Sequence, residues 1–126
     1  MVGLVVVSHS EMAAEGIAEV AREMGGDTVI EPVGGDGQGG FGTVPDAIED
    51  AIAAADDGDG VVVLVDLGSA VMNADVAIEM SDADAVIADA PVLEGTVNAA
   101  VAATSPKATL DSVREQAEAA GDIEKL

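Results

Sequence analysis

The chain has 126 residues, which suits one compact domain with room for a sizeable core. Its 25 acidic side chains face only 4 basic ones, a formal charge of −21 that excludes nucleic-acid binding, because phosphate contacts need clustered Lys and Arg. With no Cys and one His, disulfides, thiolate zinc sites and multi-histidine metal centres are excluded as well, and the apolar runs fall far short of the ~20 residues of a membrane span.

In chain order, residues 3–8 (GLVVVS) form an unbroken apolar run, as expected of a parallel strand buried on both faces. Ala13, Ile17, Val20, Ala21 and Met24 then recur at helical spacing until GGD at 25–27 closes the helix. Residues 28–33 (TVIEPV) read as a short strand, placed at a sheet edge by Pro32. A glycine-rich loop at 34–42 leads to Thr43, the expected cap of a helix whose apolar stripe is Val44, Ile48, Ala51, Ile52 and Ala55. A second strongly apolar strand occupies 61–66, and 67–80 reads as a loop entering a helix. A fourth strand is predicted at 84–89 and a helix at 90–104. A C-terminal helix falls within 107–126, with Leu110, Val113 and Ala117 on one face. Strands alternating with helices predict one α/β domain over 1–126, an open parallel four-stranded sheet in the flavodoxin-like order 2-1-3-4.

That order makes the first and third strands neighbours, so His9 and Asp66 stand at adjacent carboxyl ends, where ligands of open α/β sheets bind. Taken singly, His9 reads as a polar strand end and Asp66 as one acid among many. As a pair they make chemical sense. A carboxylate accepting one ring N–H fixes the tautomer and leaves the other nitrogen a nucleophilic lone pair. Gly68 allows close backbone approach, Ser69 is the expected cap of the next helix, and a helix N-terminus there offers N–H groups to an anion. Gly42 and Thr43 could lend an N–H and a hydroxyl to a phosphoryl group; a plain surface loop is the equal alternative. Residues 35–40 satisfy G-x-G-x-x-G, but after the second strand and without the acidic ribose partner, so the match is weak. No Lys or Arg lies near this site in sequence: Arg22 is about 20 Å along a helix from His9, and Lys107, Arg114 and Lys125 are C-terminal. Phosphoryl chemistry here would therefore draw its cations from a partner.

Four ordered stretches, VVVSHS, FGT, DLGSAVMNADVAIEM and APVLEGT, resemble the mannose-type EIIA domains of the phosphotransferase system, of the DhaM kind, over residues 2–104. The resemblance implies a carrier transiently phosphorylated on His9, with Asp66 orienting the ring and Gly42, Thr43, Gly68 and Ser69 around the phosphate. It implies phosphoenolpyruvate as the source, through enzyme I and HPr, and ADP held in DhaL as the acceptor, with DhaK carrying dihydroxyacetone. Such proteins are typically homodimers, some continue into HPr-like and enzyme-I-like domains, and the EIIA domain holds no cofactor or metal of its own. Those further parts are expected here from separate proteins.

Three readings compete. An EIIA component of a mannose-type sugar transporter would use the same His9. A flavodoxin-like nucleotide-binding module would use the glycine loop. An aspartate-phosphorylated receiver would want an acidic cluster after the first strand, where Ser-His-Ser stands instead. The N-terminus lacks the basic region of a signal peptide, so a cytoplasmic location is expected. Dispersed acids of this density resemble the surface of a halophile's protein, where molar salt screens self-repulsion. Long-range steering is weak in such salt, so Met12, Phe41 and Met72 are the expected partner contacts.

Overall fold

The computed structural model describes residues 1–126. In chain order the elements are β1 (Gly3–Ser8), α1 (Glu11–Gly25), β2 (Ile30–Gly34), α2 (Pro45–Ala55), β3 (Val61–Val65), α3 (Ser69–Met80), β4 (Ala85–Ile87), α4 (Val92–Ala103) and α5 (Leu110–Ala119), with a short 3-10 turn at Ala120–Asp122. The strands form one parallel sheet in the order β2-β1-β3-β4, the order that the two strongest apolar runs predict. Pro32 lies on the edge strand β2, where a missing N–H costs least.

Alternation along the central strands explains their continuous hydrophobicity. Leu4 and Val6 of β1, with Val62 and Leu64 of β3, pack against α1, α4 and α5 on one face. Val5, Val7, Val61 and Val63 face α2 and α3 on the other. Both faces are buried, so both sets of positions must be apolar.

The buried face of α1 differs from the expected stripe. Ala14, Ala18, Ala21 and Gly25 are buried, whereas Ala13 is exposed and Val20 and Met24 are 45% and 62% exposed. The reason is close approach to α4: a Cβ on Gly25 would lie 2.6 Å from the Ala100 Cβ. Only small side chains fit that contact, so Val20 and Met24 are turned outward, while Ile17 packs half-buried against the same core.

Two expected caps are also corrected. α2 begins at Pro45 with Val44 at its N-cap, so Thr43 lies one residue too early to cap it. α3 begins at Ser69 with Gly68 at the N-cap and no side-chain cap, so the Ser69 hydroxyl is not used within the helix. β4 is shorter than predicted, spanning only Ala85–Ile87.

Gly34 closes β2 against the turn that carries His9. A Cβ there would lie 2.7 Å from the carbonyl oxygens of both Ser8 and Ser10. Backbone cannot yield as a flexible side chain can, so Gly34→Ala is expected to destabilise the fold by about 1–3 kcal/mol. Denaturant unfolding in molar KCl measures this, and an unchanged midpoint would refute the close contact.

Candidate functional site

Parallel pairing of β1 with β3 brings Val7 opposite Val65, and the ladder runs one step further as the Asp66 N–H donates to the Val7 carbonyl (3.0 Å). Asp66 is thereby set beside the Ser8-His9 corner. Its Oδ2 accepts from the Ser8 hydroxyl (2.9 Å) and from the His9 backbone N–H (3.0 Å), while Oδ1 lies 3.0 Å from His9 Nδ1. Ser8 Oγ in turn accepts from the Ser10 N–H, and Ser10 caps α1 by accepting from the Ala13 N–H. Strand end, ring and helix start are thus one network.

Burial pushes the Asp66 carboxyl up, but bonds from the His9 backbone, the His9 ring and Ser8 outweigh it and hold the group below its ordinary value. Asp66 therefore stays a carboxylate. A carboxylate only accepts, so Nδ1 carries the ring proton and Nε2 keeps its lone pair. Ser69 Oγ lies 3.0 Å from Nε2 and donates to it. The imidazole is held at one nitrogen and nucleophilic at the other.

Around this ring the other predicted residues take varied places. The Gly42 N–H is committed to the His9 carbonyl (2.9 Å), so it fixes the loop to the strand end rather than offering a donor. Thr43, half-buried, is bonded to the Asn73 amide of α3, a residue the sequence reading passed over. At the start of α3 the Ala70 and Val71 N–H groups already serve the Leu67 and Gly68 carbonyls, leaving those of Gly68 and Ser69 without a partner in the chain. Space beside Gly68 is open, since a Cβ there would meet nothing within 4 Å. Met12 and Phe41 are each 82% exposed and Met72 75% exposed.

The glycine loop is tightly organised. Asp36 donates its N–H to the Gly40 carbonyl (3.0 Å), and its Oδ1 accepts from the Gln38 and Gly40 amides (2.7 and 2.9 Å). Those amides hold the Asp36 carboxyl below its ordinary value. Gly35, Gly37 and Gly39 have φ of 80°, 81° and 88°, a region closed to most side chains, which accounts for their composition. Beside the loop lies a cleft of about 450 Å³ lined by Ser10, Glu11, Met12, Glu15 and Phe41. Its carboxylates repel a nucleotide's phosphates, which disfavours the nucleotide-binding reading.

None of the basic side chains serves this site. Arg22 donates to the Ile30 carbonyl (2.8 Å), Arg114 faces Glu118 and Lys125 faces Glu94, while Lys107 lies between α4 and α5.

Fold and site together define an open parallel α/β domain whose switch point carries an oriented, nucleophilic histidine. The family model described as "PTS system fructose IIA component" matches residues 3–114, and the chain belongs to this mannose-type EIIA family of the phosphotransferase system. It is 41% identical, over 80% of its length and 85% of the relative's, to "PEP-dependent dihydroxyacetone kinase 2, phosphoryl donor subunit DhaM" of Listeria innocua. It is 35% identical, over 92% and 93% of the two lengths, to "PTS-dependent dihydroxyacetone kinase, phosphotransferase subunit DhaM" of Lactococcus lactis. The crystal structure of a phosphotransferase system component EIIA from Streptococcus agalactiae superimposes with a TM-score of 0.68 at 17% identity, covering 97% of this chain and 93% of that one, a likeness of fold.

Proposed function

We propose that the chain is a phosphohistidine carrier that takes a phosphoryl group from phosphorylated HPr and hands it to ADP held in a DhaL subunit, for the phosphorylation of dihydroxyacetone with DhaK. The observation that carries this reading is the ring itself, with Nδ1 held by Asp66 and the Nε2 lone pair directed outward to Ser69. In the first step the Nε2 lone pair forms a P–N bond as the donor's P–N bond breaks, and the donor imidazole keeps that electron pair. The proton on Nδ1 stays in place, and Asp66 balances the charge on the ring. In the second step an ADP phosphate oxygen takes the phosphoryl group and the pair returns to Nε2.

A transferring phosphoryl group needs positive charge nearby, and this chain's own cations are occupied or distant. Such a site holds phosphohistidine without driving its breakdown, and each partner completes the transition state with its own Arg, Lys or Mg²⁺. The dihydroxyacetone branch is supported by the DhaM relatives. Intact-mass measurement after incubation with enzyme I, HPr and phosphoenolpyruvate in molar KCl is expected to show one added acid-labile phosphoryl group. DhaL loaded with ADP should then discharge it. Discharge only to a sugar-specific EIIB protein would overturn the branch, and no gain at all would overturn the carrier reading.

Docking is assigned in this reading to the exposed apolar side chains of Met12, Phe41 and Met72. Phe41→Ala is expected to raise KM for phosphorylated HPr by about 5–30-fold, as loss of an interface anchor does. A larger effect from Glu11→Lys would reverse the view that apolar contact dominates.

A further inference from the structure

We infer that Asn73 is a positioning residue for phosphoryl transfer: it holds the Thr43 hydroxyl so that its hydrogen is left to donate to the phosphoryl group on His9. The inference rests on the phosphohistidine reading and adds a residue to it. Asn73 Nδ2 lies 2.7 Å from Thr43 Oγ1 and 3.2 Å from the Thr43 carbonyl oxygen. An amide nitrogen only donates, so both of its hydrogens are spent on Thr43 and the Thr43 oxygen is the acceptor. The hydroxyl hydrogen of Thr43 has no acceptor elsewhere in the chain.

Thr43 stands where that hydrogen is useful. It follows Gly42, whose N–H is bonded to the His9 carbonyl at 2.9 Å, so the loop is anchored against the residue that reacts. Asn73 is one helical turn beyond Ser69, on the same face of α3. That face thus presents one side chain to the ring and the next to the loop. Asn is a weaker helix former than the Ala that recurs through α3, so its place inside the helix costs something that the clamp on Thr43 repays. The identity of the group matters as much as its shape. A carboxylate at this position would accept from the Thr43 hydroxyl, turn its hydrogen away and set a negative charge beside a phosphoryl dianion.

The test uses the whole chain, enzyme I, HPr and phosphoenolpyruvate, and reads kcat/KM for uptake from phosphorylated HPr. Asn73→Ala and Thr43→Val are each expected to lose about tenfold, the loss of one donor to a charged group. Thr43→Ser, which keeps the hydroxyl, stays near wild type, and Asn73→Asp falls furthest. The decisive measurement is the double variant. If Asn73 acts through the Thr43 hydroxyl, Asn73→Ala adds nothing in the Thr43→Val background. A purely structural Asn73 would lower the melting temperature and slow uptake equally in both backgrounds, which overturns the inference, as does Asn73→Ala with uptake within about twofold of wild type. Should Asn73→Ala fail to fold, the near-isosteric, uncharged Asn73→Leu carries the same comparison. Wild-type protein that gains no phosphoryl group refutes the phosphohistidine reading and this inference together; normal uptake by every variant refutes this inference alone.

Discussion

A chain carrying His9→Ala is expected to gain no phosphoryl group from phosphorylated HPr, and one carrying Asp66→Asn to gain it about 10²–10⁴ times more slowly. The first result follows from there being a single imidazole. The second follows from how Asp66 is used. Its Oδ2 receives two donors, the Ser8 hydroxyl and the His9 backbone N–H. An amide replacing the carboxylate must put its oxygen there, because an NH₂ group would oppose the backbone N–H. The NH₂ then faces ring Nδ1 and demands a lone pair from it, which drives the ring proton to Nε2. Nucleophile and proton have exchanged places while the shape is unchanged. Quench-flow uptake of labelled phosphoryl measures the rate, and an Asp66→Asn chain as fast as wild type would sink the assignment.

The same carboxylate makes a pH-dependent contribution to stability with a definite sign. Its folded value lies below the ordinary one, so the contribution is fully present above the unfolded value of about 4 and lost as pH falls through the lower, folded value. The carboxylate's own share of the stability gap between wild type and Asp66→Asn, from unfolding in molar KCl, is therefore expected to be lost only below about pH 4.

The sheet is legible because unbroken apolar runs have only one economical place, the covered centre, and this forces β1 beside β3. Proximity of His9 and Asp66 follows from that order alone. The details that depend on packing are not legible in the same way. Hydrophobicity ranks Val20 and Met24 above Ala14 and Ala18, yet α1 meets α4 so closely that size decides, and the small residues go inside. Thr43 and Ser69 look like caps because hydroxyls precede helices there. Helix starts displaced by a residue leave the Ser69 hydroxyl to face the His9 ring and the Thr43 hydroxyl to accept from Asn73. Asn73 carries no motif at all: its partner Thr43 is thirty residues away, and only the fold joins them.

Removal of salt is expected to unfold this protein, even with every contact of the site intact. The charge of −21 has few internal counterions: the N-terminal ammonium with Asp57 and Asp59, Arg114 with Glu118 and Lys125 with Glu94. Glu11, Glu15, Glu19 and Glu23 form an exposed row of like charges at every fourth position of α1, a spacing that repels. Against this stands a core of small pieces, in which the largest fully buried side chains are Leu4, Ile48, Ile52 and Leu64 and most of the others are Val and Ala. Each small side chain buries little area, so the hydrophobic reserve is modest. The Debye length falls from ~30 Å at 0.01 M salt to ~3 Å at 1 M, so repulsion that is long-ranged in dilute buffer nearly vanishes in molar KCl. Salting-out could raise the melting temperature too, and Glu15→Gln with Glu19→Gln separates the two causes. If repulsion dominates, the double variant melts several degrees above wild type in dilute buffer and the gap closes in molar KCl. Equal melting of the two proteins at every salt concentration would assign the salt effect to the core, and identical melts of wild type in dilute and molar KCl would remove it altogether.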